Sequence, residues 1–340
     1  MHFSDLTALT AELSTVSPDL ARDVAAIEGD ITIIGAGGKL GPSLVELACR
    51  AREETGTSGN VLAVSRFSTP GEAERLEAAG ATVIRADIAD DRQLAGLPDS
   101  PHVIFLVGSK FGTTGSEAST WLTNSYLPGR VVERFAGSRT VALSTGNVYP
   151  LAPVQGGGWS EDDPVGPIGE YAMSCLGRER VMAGIAERTG TPLAILRLNY
   201  AVEMRYGVLA DLATTIAAGR PVDLSMGYVN LIWQGFCNEV ILRSLLHASI
   251  PPFLLNLTGP EVLAVRELAV RLAARIGRTV DFVSAEADTA LLSDASRCRA
   301  LFGTSAVDLD DLIDATADWV SRGGASLGKP THFQTRDGRF

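Results

Sequence analysis

Three glycines spaced three residues apart constrain the fold of this chain more than any other feature. They are Gly35, Gly38 and Gly41, in the stretch ITIIGAGGKLG at residues 31–41. The β-branched run before them predicts a buried strand, and the apolar pattern after them predicts a helix. Glycine lets the backbone approach a ligand, and the first turn of a helix favours negative charge. The stretch therefore predicts a diphosphate site, although tight turns also use glycine for steric reasons alone.

Composition and charge narrow the classes of partner. The 340 residues are enough for one large α/β domain or two medium ones. With 29 basic and 40 acidic residues the net charge is −11, which disfavours nucleic acids and anionic membranes as partners. The N-terminus has no signal-peptide pattern, and no apolar run reaches the ~18 residues of a membrane span. The four dispersed cysteines form no CxxC pair, so we expect a reduced, cytoplasmic protein without structural disulfides or zinc.

Strand and helix patterns alternate over residues 30–200. Strands separated by helices predict a parallel sheet with helices on both faces. Right-handed crossovers then give a doubly wound α/β topology. The predicted strands cover residues 31–34, 61–64, 82–85, 102–107, 140–144 and 193–197.

The other segments are additions to this unit. Residues 1–29 are predicted to be a helical extension that serves packing or dimer contact. The regular alternation of strands and helices ends after residue 200. Residues 201–328 are predicted to form a smaller C-terminal substrate-binding lobe, part of which returns to the main sheet. The polar tail, residues 329–340, is expected to be ordered only by docking. Helix patterns in the lobe cover 207–219, 235–248, 265–276, 293–301 and 308–321, and strand patterns cover 253–257 and 279–283.

The choice between NAD and NADP depends on the end of the second strand. NAD sites usually place an acidic residue there to bind the ribose 2′-hydroxyl, whereas an arginine suits a 2′-phosphate. This chain has Ser65 and Arg66 at that position, and Lys39 lies within the glycine loop. NADP is therefore favoured over NAD, unless Arg66 is merely solvated beside an NAD that lacks its usual anchor.

Two further strand ends are expected to flank the cofactor. Asp87 and Ile88 follow the third strand, where adenine is often bracketed, although Asp87 could instead cap the next short helix. The loop at residues 108–112, which contains Lys110 and Phe111, follows the fourth strand. Ligands of open parallel sheets lie beyond the carboxyl ends of the strands, so this loop should border the site.

A threonine after a strand and a tyrosine at the start of a helix complete a recognisable order. The strand exit reads STGNVY at residues 144–149, and the helix begins YAMSCLGRER at residues 171–180. Together with the glycine loop, these motifs resemble the extended short-chain dehydrogenase/reductase family, which includes nucleotide-sugar epimerases and dehydratases. The resemblance implies a Rossmann domain in which Tyr171 is the general acid or base and Thr145 orients the substrate hydroxyl. It also implies a homodimer.

The resemblance further implies which residues hold the cofactor. They lie in the glycine loop, at the ends of the strands and on the elements that follow. The predicted set is Gly35, Gly37, Gly38, Lys39, Leu40, Gly41, Ser65, Arg66, Asp87, Ile88, Val107, Gly108, Asn124, Ser144 and Asn199.

Cys175 occupies the position at which the family has a lysine that lowers the tyrosine pKa. A free phenol has a pKa of about 10, and a neutral thiol supplies no field that would lower it. Three interpretations stay open. Another cation substitutes, with Lys110 favoured over Arg178; or Tyr171 acts only as a hydrogen-bond donor; or the site binds cofactor without turnover. Cys175 itself could be a reactive thiol or a small packing residue.

Side chains beyond these motifs are candidates for substrate binding. In the family's sugar dehydratases an acidic pair follows the threonine, whereas here the pair is Gly146 and Asn147, which disfavours that elimination. Arg205 suggests an anionic substrate, or is an ordinary surface arginine. Trp233 suits a hydroxylated ligand, or belongs to the core. The predicted substrate set is Asn147, Arg205, Tyr206 and Trp233.

These residues predict an NAD(P)-dependent oxidoreductase or epimerase that acts on a secondary hydroxyl of a sugar-like small molecule. The alternatives are a nucleotide-binding sensor or scaffold that has lost catalysis, and a redox-neutral lyase or isomerase with a tightly held cofactor. The histidines do not cluster in the sequence, so metal or Ser–His catalysis is not expected.

Overall fold

Seven parallel strands form the central sheet of the computed structural model, counted over the described residues 1–110, 112 and 115–339. They are β1 (Ile31–Ile34), β2 (Val61–Ser65), β3 (Thr82–Arg85), β4 (His102–Phe105), β5 (Arg139–Thr145), β6 (Leu193–Leu198) and β7 (Phe253–Leu257). Their spatial order is β7-β6-β5-β4-β1-β2-β3. From β1 the chain builds the sheet outward through β2 to β3, and it then returns to place β4 on the other side of β1. The connections that follow β1 and β4 therefore run in opposite directions, which leaves a crevice beyond the carboxyl ends of these two strands.

The predicted doubly wound parallel sheet is confirmed. All four residues of β1 are buried, as expected for a strand that is covered on both faces. The six predicted strands are present with ends that differ by no more than two residues. β7 lies within the range predicted for the lobe and extends the sheet by pairing with β6.

Helices cover both faces of this sheet. On one face, the helices at Gly41–Thr55 (α3) and Gln234–Arg243 (α10) pack against strand residues such as Ile33 and Ala63. On the other face, the helices at Leu127–Arg134 (α7) and Gly169–Thr189 (α8) pack against residues such as Ile34 and Phe105. The helices are α1 (Leu6–Leu13), α2 (Pro18–Val24), α3 (Gly41–Thr55), α4 (Glu72–Ala78), α5 (Asp91–Ala95), α6 (Glu117–Trp121), α7 (Leu127–Arg134), α8 (Gly169–Thr189), α9 (Val208–Ala217), α10 (Gln234–Arg243), α11 (Val265–Ile276), α12 (Ser296–Phe302) and α13 (Leu309–Ser321).

The apolar pattern over residues 118–136 predicts a single helix, and the structure has a continuous helical run there that contains a π-helical turn. α6 ends at Trp121, and a π-helical turn spans Leu122–Tyr126 before α7 begins. Pro128 has no N–H to donate to the Asn124 carbonyl oxygen one turn before it. Arg178 on α8 supplies the missing donor, because its Nε donates to that oxygen at 2.9 Å.

A second core lies in the C-terminal part of the chain. It is formed by α9, α11 and α13, and the N-terminal helix α1 contributes Leu9 and Leu13 to it. α2 packs instead on α3 and α10, where Arg243 pairs with Asp23 at 2.7 Å. The strand predicted at 279–283 is confined to Phe282–Val283, which pairs with Val222–Asp223.

Two residues of predicted segments lie outside the part of the chain that the structure describes. They are Phe111 in the loop at residues 108–112 and Phe340 at the end of the tail. Over the described residues, no helix has both the length and the apolar character needed to cross a bilayer.

Candidate active site

The glycine loop joins β1 to α3 in a turn that has little room for side chains. Gly35 has φ +93°, which favours glycine, and a Cβ on Gly41 would lie 2.3 Å from the Ala36 carbonyl oxygen. α3 therefore begins directly against the loop, at the carboxyl end of β1. This arrangement fits a diphosphate, since backbone N–H groups and the positive end of the helix can approach it together.

A crevice continues from the glycine loop along the ends of β2, β3 and β4. Its volume is about 340 Å³. The predicted cofactor residues that line it are Gly35, Gly37, Gly38, Ser65, Arg66, Asp87, Ile88, Val107 and Gly108. Asp90, rather than Asp87, caps α5, so the alternative role for Asp87 is wrong.

Glu72 on α4 is an acidic group beside the glycine loop that the sequence motifs do not indicate. A Cβ on Gly37 would lie 2.8 Å from Glu72 Oε2 and 2.9 Å from Ser65 Oγ, so both side chains lie close to Gly37. Glu72 Oε2 is buried and has no hydrogen-bond partner among the described residues. Burial raises the pKa of this carboxyl group. A buried acceptor without a donor fits a ligand hydroxyl at this point.

A second cavity, of about 180 Å³, lies on the other side of the glycine loop. It brings together both predicted catalytic hydroxyl groups and the predicted cation Lys110. The predicted residues that line it are Lys39, Leu40, Lys110, Ser144, Thr145, Asn147, Tyr171, Asn199 and Tyr206. Leu198, Tyr200, Ala201, Gln234 and Thr331 complete the lining.

Tyr171 and Thr145 are brought together by α8 and β5. Tyr171 lies in the first turn of α8, and Thr145 is the last residue of β5. The phenol is within hydrogen-bonding reach of the Thr145 hydroxyl and the Cys175 thiol. Burial raises the pKa of Tyr171 far above its usual value, and the nearby Arg178 opposes this only in part. The phenol is therefore neutral near pH 7.

Two lysines face this second cavity. Lys110 Nζ lies 5.9 Å from the centre of the Tyr171 ring, and Lys39 Nζ lies 3.7 Å from the centre of the Tyr206 ring. Burial lowers the pKa of Lys110 to about 8 and that of Lys39 to about 8. Lys39 thus lies beside Tyr206 and not at the Arg66 end of the crevice.

Arg178 is buried below the cavity. Its guanidinium donates to the Asn124 side chain at 3.1 Å and to the Leu143 carbonyl at 2.6 Å. It acts on Tyr171 through its charge rather than by contact with a ligand. Burial raises the pKa of Cys175, which is 1% exposed, so packing is a better account of this thiol than nucleophilic chemistry.

A buried polar network supports the cavity from beneath. Ser144 Oγ donates to Glu179 Oε1 at 2.6 Å, and Arg197 pairs with Glu179 at 2.8 Å. Arg197 also donates to the Tyr149 hydroxyl at 2.6 Å, and that hydroxyl donates to Asn256 Oδ1 at 2.9 Å. The network joins β5, β6, β7 and α8, which are the elements that carry Thr145 and Tyr171.

Some predicted site residues lie elsewhere. Asn124 is fully buried and binds the Ser109 backbone, so it supports the loop after β4 and lines neither cavity. Trp233 is in the second core, where its ring stacks on Phe3 with ring centres 6.4 Å apart. Arg205 pairs with the buried Glu203 at 2.8 Å and lines a separate cavity of about 640 Å³.

The structure brings two further groups to the site that have no local sequence signal. Asp211 on α9 and Thr331 in the tail meet through a 2.6 Å hydrogen bond from the Thr331 hydroxyl. They are 120 residues apart in the chain. The only sequence hint was that a polar tail needs a docking partner to become ordered.

A sequence profile of the NAD dependent epimerase/dehydratase family matches residues 31–224, more than half of the chain. No curated protein sequence matches it. Several solved structures are similar in fold. UDP-glucuronic acid 4-epimerase from Bacillus cereus in complex with NAD is 20% identical, with a TM-score of 0.71 over 86% of this chain and 97% of its own.

Two other solved structures show the same likeness. The Bordetella bronchiseptica enzyme WbmG in complex with NAD is 20% identical, with a TM-score of 0.70 over 89% of this chain and 97% of its own. MoeE5 in complex with UDP-glucose and NAD is 22% identical, with a TM-score of 0.67 over 87% of this chain and 99% of its own. At these identities the likeness shows a shared fold.

Proposed function

Because this chain belongs to the NAD-dependent epimerase/dehydratase family, we propose that it oxidises or epimerises a secondary hydroxyl of a sugar-like small molecule. The membership confirms the family resemblance that the motifs predict. One observation carries the proposal: the hydroxyl groups of Thr145 and Tyr171 meet in one cavity beside the glycine loop. A substrate hydroxyl placed there would have a partner that orients it and a partner that exchanges its proton.

The residues of this chain divide the work between binding and proton transfer. The glycine loop and the start of α3 hold the diphosphate, and Thr145 orients the substrate oxygen. Tyr171 moves the proton of that oxygen. When bound, the nicotinamide supplies hydride acceptance and return. Holding the groups in one fixed cavity lowers the barrier by proximity and orientation.

Tyr171 rests as a neutral phenol in this proposal, because burial raises its pKa. As a phenol it donates its proton to the substrate oxygen in the reductive direction. In the oxidative direction it first loses its proton to solvent, and the phenolate, favoured by nearby positive charge, then accepts the proton of the substrate hydroxyl. Lys110 is the cation that replaces the lysine missing at Cys175, because it lies 5.9 Å from the Tyr171 ring within the same cavity. Arg178 contributes a second positive field from below.

Replacing Lys110 with alanine is expected to remove an alkaline limb from the pH profile of kcat/KM. Burial lowers the pKa of Lys110 to about 8, so its ammonium is lost as the pH rises through that value. Lys110→Arg should extend the plateau above pH 8, since guanidinium stays protonated. Burial lowers the pKa of Lys39 to about 8 as well, so the control is Lys39→Gln, which should leave the alkaline limb in place. An unchanged limb in Lys110→Ala would remove Lys110 from the proposal.

We propose NAD as the cofactor, although Arg66 and Lys39 in the sequence favour NADP. The Arg66 side chain is 75% exposed and lies 4.0 Å from Asp87. Glu72 supports NAD, because a carboxyl group beside Ser65 can accept a bond from a ribose 2′-hydroxyl and would repel a 2′-phosphate. Glu72 would then do from α4 what an acidic residue at the end of β2 usually does.

Glu72→Gln is expected to weaken NADH binding by about tenfold and to reduce the preference for NADH over NADPH. A tenfold change in affinity corresponds to about 1.4 kcal/mol, close to the lower end of what a hydrogen bond to a charged group contributes. Arg66→Ala is the matched control and should leave NADH affinity unchanged. Fluorescence titration of both reduced coenzymes measures these affinities. Tighter binding of NADPH by the unmodified chain, lost in Arg66→Ala, would reverse the assignment.

We also propose a homodimer in the cytoplasm. Large apolar side chains are exposed on neighbouring helical segments around α6, the π-helical turn and α8, which supports a contact surface. They are Trp121, Leu122, Tyr126, Met173 and Val181. All four cysteines are buried as free thiols, which supports a reducing compartment. Light scattering on the purified chain measures the oligomeric state directly.

The second candidate is a nucleotide-binding sensor that does not turn over. Cys175 favours it, because this position lacks the cation that the family uses. A third candidate, intermediate between the proposed enzyme and the sensor, is a redox-neutral lyase or isomerase with a tightly held cofactor. The test is to examine purified protein for bound nicotinamide, then to follow its absorbance with candidate sugars. Turnover supports the enzyme; cofactor binding with unequal affinities for the oxidised and reduced forms, and no turnover, supports the sensor.

A further inference from the structure

The last residues of the chain cross the cleft between the sheet and the C-terminal lobe. We call residues 330–339 the strap. Thr331 and Phe333 are buried, at 2% and 6% exposed, and Phe333 belongs to the second core. Arg336 donates to the Thr289 carbonyl and hydroxyl, each at 2.7 Å. Gly338 packs against Gly169, at the start of α8.

The strap passes directly over the residues proposed to act on substrate. Thr331 lines the cavity that contains Tyr171. Farther along, Thr335, Arg336 and Gly338 border Asn147, where a cavity of only about 20 Å³ is left. The strap therefore fills the side of the cleft that is away from the glycine loop.

Thr331 makes the contacts that a hydroxylated ligand would make. Its N–H and its hydroxyl both donate to Asp211 Oδ2, at 2.7 and 2.6 Å. Its carbonyl oxygen lies 3.5 Å from Lys110 Nζ. A carboxylate and an ammonium that both contact one residue suit neighbouring hydroxyl groups of a ligand, since the carboxylate accepts hydrogen bonds and the ammonium donates them.

The space that remains is too small for the proposed reaction. The cavity at Tyr171 measures about 180 Å³. Sites for small molecules and cofactors usually measure about 300–1,000 Å³. A nicotinamide ring and a sugar-like substrate could not share the cavity while Thr331 occupies it. The segment before the strap can act as a hinge, because Gly328 has φ +63° and residues 328–330 are exposed.

We propose that the strap is an autoinhibitory element, and that a polyhydroxylated substrate displaces it by taking over the Asp211 and Lys110 contacts of Thr331. The proposal rests on the proposed function, because it takes the cavity beside Tyr171 as the substrate cleft. Asp211 and Lys110 are then substrate-binding residues in the open state, and the strap raises the substrate concentration needed to fill the cleft.

The test compares four NAD-loaded proteins by calorimetry, with UDP-glucuronic acid and free glucuronic acid as probes. They are the full chain, Thr331→Val, a chain that ends at Lys329, and the control Thr304→Val, which changes an exposed threonine away from the strap. Thr331→Val and the shortened chain should bind at least one probe about tenfold more tightly than the full chain, since a competing hydrogen bond to a charged group is lost. Thr304→Val should match the full chain.

A second readout is independent of folding in the shortened chain. Amide hydrogen exchange in residues 331–338 of the full chain should accelerate when the probe is added, because the strap leaves the cleft. Equal Kd values in all four proteins, or no binding of either probe to any of them, would overturn the proposal. Failure of the full chain to bind NAD would instead overturn the proposed function, so the two failures are distinguishable.

Discussion

Tyr171→Phe is expected to lower kcat by about 10²–10⁴-fold, the usual contribution of a positioned proton donor or acceptor. The ring remains, so the packing against α8 and the affinity for NAD should persist. Tyr206→Phe is the matched control, because Tyr206 lines the same cavity and the substitution keeps the ring that lies 3.7 Å from Lys39 Nζ. Steady-state kinetics together with NADH titration separate the loss of chemistry from a loss of binding.

Two results would require a different account of the site. Unchanged turnover in Tyr171→Phe would mean that another group moves the proton. An equal loss in Tyr206→Phe would mean that the cavity is sensitive to any change of polarity, and that the phenol of Tyr171 has no special role.

Arg197→Met is expected to destabilise the folded chain by about 3–5 kcal/mol, the cost of leaving a buried charge without its partner. The side chains of Arg197 and Glu179 are only 5% and 6% exposed. The substitution would leave Glu179 with the hydrogen bond from Ser144 and would remove the donor to the Tyr149 hydroxyl. Urea unfolding gives the free energy directly, provided that the slope with denaturant stays constant.

Arg188→Met is the matched control for this experiment. Arg188 forms an ion pair with Glu133 on the surface, with side chains 65% and 48% exposed, and such pairs contribute about 0–1 kcal/mol. Comparable losses in the two variants would show that the buried pair has no special weight. Combining Arg197→Met with Glu179→Gln should recover part of the loss, because the unpaired charge is then removed as well.

Hydrophobic periodicity was enough to place the regular elements. The strand at Phe253–Leu257 and the helix at Val265–Ile276 have the predicted bounds, since the strand is a short, mostly apolar run and the apolar residues of the helix recur every three or four positions. The helix predicted over residues 118–136 is present, but its π-helical turn was not predicted, because the apolar pattern continues through Pro128. The residue that donates to the Asn124 carbonyl oxygen in place of Pro128 is Arg178, which is a neighbour only in three dimensions.

The candidate site, too, was predictable from the sequence only where local motifs mark its residues. The spacing of local motifs was sufficient to identify Thr145 and Tyr171, whose side chains the fold brings into one cavity. Thr331 lines the second cavity, Asp211 binds Thr331, and Glu72 lies beside the glycine loop. All three lie outside the local motifs, so no short pattern could indicate them. Side-chain type alone was misleading for Trp233, because aromatic residues suit a ligand cleft and a core equally well.

Pro128 links a helix on one side of the sheet to the electrostatics of the phenol at Tyr171. Its imide nitrogen leaves the Asn124 carbonyl to Arg178, and that contact helps to hold the guanidinium charge below Tyr171. A residue with an N–H at position 128 would compete with Arg178 for this oxygen, while the bonds from Arg178 to Leu143 and to the Asn124 side chain would remain. A substitution of Pro128 can therefore reach the phenol through Arg178, although Pro128 lines neither cavity.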